Sequence, residues 1–379
     1  MPRRGLTTSG SGVKLLAMAS PHTAQDQGRI SCPALKQSVL ALAAALLMLA
    51  PPAFAVDHAV VFVYHRFGEP QYPSTNTPVE AFKAQLDYLA AHGFHVWSLP
   101  RLVRTLQAGR SVPDKTVALS VDDAFRSVYE NAWPLLRAHH FPVTVFVSTQ
   151  AVDRHYPAYM TWSQMRTMQL QGATFADHTV THPHPLERKP GEGEEAWEKR
   201  LRTEVLDAQE RIHRELGPKT NTDPKLFAYP YGEYNPALAR MVNALGFVAF
   251  AQASGALGEP LDPRALPRFP IDTHFDALDM FARRAVSRPM PLSSVAPWSP
   301  VVQGGHNPPR LRLVLARPLR GLACFRSDGR RMQPTPASAT HVVLRAPSAL
   351  PAGRSLYTCT APAPGGGYFW YTHPWFHVP

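Results

Sequence analysis

Between residues 58 and 251 short apolar runs alternate with amphipathic stretches. The runs are AVVFVY (59–64), FHVW (94–97), TVALSV (116–121), VTVFV (143–147), ATFA (173–176), LFAY (226–229) and FVAFA (247–251). Rich in β-branched and aromatic residues and only a few positions long, they predict strands. Between them apolar side chains recur at helical spacing: Phe82, Leu86 and Leu89 ahead of Gly93, then Tyr129, Trp133 and Leu136, and later Val205, Ile212 and Leu216. Strands joined by helical crossovers predict a largely parallel sheet with both faces covered. An open doubly wound sheet and a closed (β/α) barrel both meet that description.

The pattern changes after about residue 290. SRPMPLSSVAPWSPVVQGGHNPP (287–309) is rich in Pro, Ser and Gly, and residues 291–309 read as a linker between a barrel domain over 56–290 and a smaller unit over 310–379. In that unit LRLVLA, GLACFRS, HVVLRA, RSLYTCTA and GGGYFWYTHPWF alternate or run apolar between turns with no helical period, which predicts a small all-β, sandwich-like domain. The aromatic run Tyr368 to Tyr371 reads as its core rather than as a sugar platform.

Residues 1–55 form a third kind of segment. Lys36, an apolar stretch from Val39 to Ala50 and the small-residue end Ala53-Phe54-Ala55 read as a signal peptide with its leader, too short for a membrane span. The expected location is therefore exported, periplasmic or extracellular, with no transmembrane segment in the mature chain. Export changes the charge balance, because residues 1–55 hold five of the 39 Lys and Arg and one of the 28 Asp and Glu; without them the net charge falls from +11 to +7. That excess is mild and no dense basic helix accompanies it, so nucleic acid is not the expected partner. Cys324 and Cys359 remain, and in an oxidising compartment the pair reads as one disulfide.

Polar residues of catalytic type sit just past several strands: His65 after the first, Asp122-Asp123 after the third, His178 after the fifth, Tyr231 and Gly232 after the sixth. In a barrel those ends converge on one face, whereas an open sheet leaves some of them far apart, so the fold expected is an irregular (β/α) barrel. One aspartate after a strand would serve as a helix N-cap. The second needs another reason. In ADHTVTHPHP (176–185) His178 and His182 are four apart, but the β-branched Thr179-Val180-Thr181 and the prolines at 183 and 185 argue against a helix. A bent loop that brings both imidazoles to one carboxylate makes a three-ligand site with an open position, the arrangement of a catalytic metal. Asp123 can then be the ligand and Asp122 the base.

These residues resemble the polysaccharide deacetylases, carbohydrate esterase family 4 with its NodB-homology domain. The likeness rests on Asp122-Asp123, on His178-x-x-x-His182-Pro183 and on YPYGEYN (229–235), three motifs in the family's order over roughly residues 58–290. It implies an irregular (β/α) barrel and metal-dependent removal of acetyl groups from N-acetylhexosamine polymers. By the same resemblance Asp122 is the base, Asp123, His178 and His182 hold the metal, and the Tyr231 backbone N–H helps stabilise the oxyanion. Three departures stand out. Ala124 replaces the usual Gly after the acids, Ala228 stands where an arginine often orients the base, and no late Leu-x-His supplies an acid. His65 in FVYHRFGEP matches the permuted arrangement of the poly-β-1,6-N-acetylglucosamine deacetylases and is expected to be the general acid, while Arg268 in LPRFP is the candidate to replace the missing arginine.

The expected activity is N-deacetylation of a polysaccharide containing N-acetylglucosamine. The alternatives are O-acetyl ester hydrolysis on xylan or another glycan, and a metal-containing glycan-binding module without turnover. The expected cofactor is a divalent metal, zinc first, with nickel, cobalt or iron also compatible with an Asp-His-His set.

Overall fold

The computed structural model describes residues 55–378 apart from Pro260, Gln303, Ala337 and Gly365. The leader read over residues 1–55 therefore lies, but for its last residue, outside the described residues.

Six strands form the parallel sheet: β1 (His58–Tyr64), β2 (Thr116–Val121), β3 (Thr144–Val147), β4 (Thr174–Asp177), β5 (Lys225–Ala228) and β6 (Phe247–Phe250). They lie side by side in chain order, and each neighbouring pair is parallel. Beyond β1 the sheet is extended by Leu257–Gly258, antiparallel to it, and by Phe269–Pro270, parallel to it. The result is a curled half-barrel rather than a closed cylinder. FHVW contributes only the two-residue strand His95–Val96 against the start of β2.

Alternation along the strands sorts the core. In β1 Val60, Phe62 and Tyr64, and in β2 Val117, Leu119 and Val121, join one cluster with Phe82, Leu86 and Leu89 of helix α1 (Val79–Ala91). The intervening Ala59, Val61 and Ala118 face the other way, onto Phe146, Ala176, Ala228 and Phe250 and onto the apolar side of helix α2 (Leu99–Gln107). Small side chains on that second face let the curled sheet close around two phenylalanines. Helix α3 (Glu194–Leu216) buries Leu201, Val205 and Ile212, as its spacing predicts, and its first turn carries Glu194 and Glu195 near the positive end of the helix.

The stretch expected as a linker contains strand β7 (Leu292–Ala296), which pairs antiparallel with β8 (Arg310–Leu315). Prolines at 291 and 297 flank this run instead of interrupting it, so its backbone groups are free to join a ladder. β8 also pairs with β9 (His341–Arg345), while the long hairpin of β10 (Gly353–Pro362) and β11 (Tyr368–His377) belongs to a second antiparallel sheet. Leu311, Leu313, Leu315 and Leu344 from one sheet and Tyr357, Cys359, Ala361 and Trp375 from the other share one core. Cys324 and Cys359 face each other across neighbouring strands and are disulfide-bonded. β11 also reaches the half-barrel: the Trp370 ring lies 5.1 Å from Phe269, and Phe376 packs with Tyr234. Among the described residues no helix is long and apolar enough to cross a membrane.

His373, on β11, is buried with its Nδ1 3.1 Å from the Tyr371 hydroxyl and with no partner for Nε2 among the described residues. Burial lowers its pKa to about 4, weakly opposed by the nearby Ser299 backbone. A histidine depressed in this way favours the folded state fully above its unfolded value near 6.5, and the contribution fades as pH falls through the window down to about 4. Between pH 7.5 and 5 this amounts to about 2 kcal/mol, at about 1.4 kcal/mol per unit. Urea unfolding at both pH values should show His373→Gln losing less stability than the unsubstituted protein by about that amount; equal losses would remove His373 as a source of acid sensitivity.

Candidate active site

The chain leaves β2 at Asp122 and turns at once. Asp123 (φ 72°) and Ala124 (φ 59°) are both left-handed, and Ala124 is fully buried. A Cβ in that conformation costs roughly 1–2 kcal/mol. This explains why a glycine suits the position and what the alanine here gives up. The turn separates the neighbouring carboxylates. Asp122 points to the buried face, where Arg268 donates to both of its oxygens at 2.7 and 2.8 Å, and neither side chain is exposed. Arg268 also donates to Ser120 Oγ and to the Ala251 carbonyl, and its guanidinium lies 5.2 Å from the Phe146 ring. Burial pushes the Asp122 carboxyl up, but Arg268 and His178 outweigh it and hold the group below the usual carboxylate range.

Asp123 faces the histidine loop. Its Oδ1 is 3.3 Å from His178 Nε2 and 3.2 Å from His182 Nε2, and one ligand atom from each of the three residues falls within 4.8 Å of the others. Burial acts against its charge, yet the two imidazoles hold it well below its ordinary value. The loop is no helix. Thr179 (φ 68°) and His182 (φ 53°) are left-handed, and the Asp177 carboxylate accepts from the Thr179 N–H at 2.8 Å. Glu204, on α3, accepts from the N–H groups of Val180 and Thr181 and from the Thr181 hydroxyl. Left-handed residues gathered in this way mark a backbone held by its surroundings.

The donor set fits a divalent ion. His178 Nδ1 is 2.8 Å from the Ala228 carbonyl, which fixes that proton and leaves Nε2 as the lone-pair end. That Nε2 is buried, and its one polar neighbour among the described residues is the Asp123 oxygen 3.3 Å away, so the two face each other across a space that a bound cation would fill. Burial, with His178 beside it, lowers the His182 pKa to about 4, so its ring is neutral near pH 7 and available as a ligand. Asp123, His178 and His182 are thus a group able to hold a divalent metal.

Tyr231 sits on a tight turn after β5 at φ 56°, with its ring stacked on His184 at 3.7 Å and edge-on to His182 at 4.5 Å. His65 follows β1, partly buried, with Nε2 3.2 Å from Gln252 Nε2. Burial, aided by Arg268 and His178, lowers its pKa, while Asp123 and Asp122 oppose the shift. All seven residues singled out in the sequence thus lie at strand ends or in the adjoining loops of one sheet. Sequence reasoning missed Gln252, Glu204 and the Arg354 that meets Gln252. Gln252, a polar residue just past the apolar run 247–251, carried the same signal as His65. Glu204 looked like any solvent-facing helix residue.

Residues 109–250 match the polysaccharide deacetylase family model. The poly-β-1,6-N-acetyl-D-glucosamine N-deacetylase of Escherichia coli K12 is 23% identical over 242 residues, covering 55% of this chain and 35% of the relative, so the chain spans about a third of that protein's length. The enzyme of the same name from Staphylococcus epidermidis is 24% identical over 202 residues, covering 50% of this chain and 65% of the relative. Among solved structures IcaB from Ammonifex degensii is 25% identical with a TM-score of 0.50, over 61% of this chain and 98% of that one. The Streptococcus pyogenes deacetylase PplD, solved with acetate, superposes with a TM-score of 0.53 at 22% identity, over 61% of this chain and 99% of that one, which supports the fold alone. With the motifs, the half-barrel and these matches in agreement, the chain carries a domain of the polysaccharide deacetylase family.

Proposed function

We propose that the protein is a metal-dependent hydrolase that removes N-acetyl groups from a glucosamine-containing polysaccharide and releases acetate. The observation that carries this reading is the buried Asp122–Arg268 pair beside a three-residue donor set in which the His178 and His182 Nε2 atoms converge on one Asp123 oxygen. Relatives named as poly-β-1,6-N-acetyl-D-glucosamine N-deacetylases support the substrate class. The Cys324–Cys359 disulfide suits an exported protein.

Asp123, His178 and His182 would hold a divalent ion, zinc by preference, with nickel, cobalt or iron compatible with the same donors. Such an ion polarises an acyl oxygen and makes water nucleophilic near neutral pH. Asp122, kept ionised and oriented by Arg268, takes the proton of the attacking water as its oxygen bonds to the acetyl carbon. The Tyr231 backbone N–H donates to the oxyanion that develops. The C–N bond then breaks as His65, having taken up a proton from water beforehand, delivers it to the departing nitrogen; Asp122 returns its proton to water, and acetic acid ionises to leave acetate and a free amine.

The test is acetate release from β-linked N-acetylglucosamine oligomers after chelation and after adding back each metal. Loss on chelation and recovery with metal is the expected result; no release from folded, metal-loaded protein overturns the reading. His65→Ala should lower amide hydrolysis by about 10²- to 10⁴-fold and leave an aryl acetate ester, whose leaving group needs no proton, far less affected. Equal losses on both substrates would take the acid role away from His65.

A further inference from the structure

We infer that Arg354, carried by β10 of the C-terminal β region, is a positioning residue for the deacetylation site, acting on His65 through Gln252 and on the Tyr231 turn through its carbonyl. This inference rests on the hydrolase reading above. Arg354 Nη1 donates to Gln252 Oε1 at 2.8 Å and to the Tyr231 carbonyl at 3.3 Å. A carboxamide can exchange its donor and acceptor ends by rotating, but a guanidinium offers donors only. Arg354 therefore holds the Gln252 oxygen toward itself and leaves the Gln252 NH₂ facing His65 Nε2, 3.2 Å away. A donor at that place makes His65 Nε2 an acceptor, so the resting imidazole carries its proton on Nδ1.

A second observation ties the same atoms together. Gly232, beside Tyr231, adopts φ +70°, and a Cβ there would lie 2.9 Å from the Gln252 backbone nitrogen and 2.8 Å from its Cβ. The turn that carries the Tyr231 N–H is thus packed directly on Gln252. Tyr231 is itself left-handed, a conformation that neighbours must hold in place. One side chain from the β region bears on both arms of the site, the carrier of the leaving-group proton and the turn beside the oxyanion. The β region is on this view part of the active site and not an appended module.

The experiment compares the zinc-loaded full chain with Arg354→Ala, Arg354→Lys and Gln252→Met. Nitrogen-15 histidine spectra report the His65 tautomer directly, with its signal assigned by its loss in His65→Gln. The unsubstituted protein should carry the Nδ1 proton; Arg354→Ala should shift population to Nε2–H as the Gln252 amide turns, and Arg354→Lys should keep the original state. In turnover, Arg354→Ala should lower kcat on N-acetyl oligomers about tenfold with KM within about twofold, the signature of lost positioning. Gln252→Met should lower amide hydrolysis while sparing an aryl acetate. An Arg354→Ala protein with an unchanged His65 tautomer and unchanged kcat overturns the inference. If the unsubstituted protein releases no acetate, the hydrolase reading fails, and the tautomer comparison still decides what Arg354 does.

Discussion

Asp122→Asn should lower acetate release by about 10²- to 10⁴-fold, the range a positioned general base supplies, while the protein still takes up its ion. The substitution preserves shape and one acceptor oxygen but removes the charge that accepts the proton. It also strands Arg268, which is wholly buried and donates to both Asp122 oxygens. Breaking a buried ion pair from one side costs about 3–5 kcal/mol, because the other charge is left uncompensated. The loss of activity must therefore be separated from a loss of fold. The double variant Asp122→Asn/Arg268→Met removes the stranded charge as well, and it should recover most of the stability without recovering activity. Chemical denaturation gives the first quantity, acetate release the second, and metal analysis of the purified proteins the third. If Asp122→Asn retains full turnover, the base is another group. If the double variant regains turnover with stability, the effect of the single change was on folding.

Much of this arrangement was legible in the sequence, for reasons that can be named. A parallel strand buried on both faces is an uninterrupted apolar run, so β1, β2 and β3 announced themselves to within a residue or two. A polar residue of catalytic type at a strand end breaks such a run, which is how Asp122, His178 and His65 came into view. The adjacency of two carboxylates was informative because turn geometry sends neighbouring side chains to different places, and the left-handed Asp123 does this here. Residue types and spacing allowed a donor set of one aspartate and two histidines, and the resemblance to the polysaccharide deacetylases chose Asp123 as its carboxylate.

Other features left no local trace. Arg268 stands out in the sequence only because the resemblance calls for an arginine; locally, ahead of the short strand Phe269–Pro270, nothing but its pairing with Asp122 across the sheet distinguishes it from a surface arginine. Arg354 is 102 residues from Gln252 in the chain and begins a strand whose alternating pattern suggests an ordinary solvent-facing position. Glu204 is one of many acidic residues on a long amphipathic helix, and its role depends on a loop that folds back onto it. The stretch 291–309 misled in the opposite direction. Its proline content is real, but a five-residue run between prolines is enough for a strand when a partner such as Arg310–Leu315 lies alongside. Local pattern reveals what a segment buries; it does not reveal which distant segment completes a polar network.

Removing the metal from the unsubstituted protein should lower both turnover and melting temperature, and His178→Ala should abolish the metal-dependent part of each. A buried acceptor without a well-formed hydrogen bond carries a penalty of about 1–3 kcal/mol, and with its Nδ1 committed to the Ala228 carbonyl, the neutral His178 ring turns its Nε2 lone pair to the Asp123 carboxylate 3.3 Å away. A bound cation relieves that penalty and the crowding of Asp123 against two rings, so binding is coupled to stability. At a free zinc concentration one hundred times the dissociation constant the gain is about 2.7 kcal/mol, which for a chain of this size is several degrees in melting temperature. In His178→Ala the Ala228 carbonyl loses its partner and a small cavity opens, so the ion-free variant should melt below the ion-free unsubstituted protein. Its response to zinc should vanish all the same. Calorimetric melting with and without chelator measures the shift, and acetate release on the same samples measures turnover. A variant that keeps the full zinc-induced shift would place the ion away from His178, and the donor set would have to be sought among other residues. A variant that loses the shift but keeps turnover would separate the ion from the chemistry and leave Asp122 and its arginine to act without it.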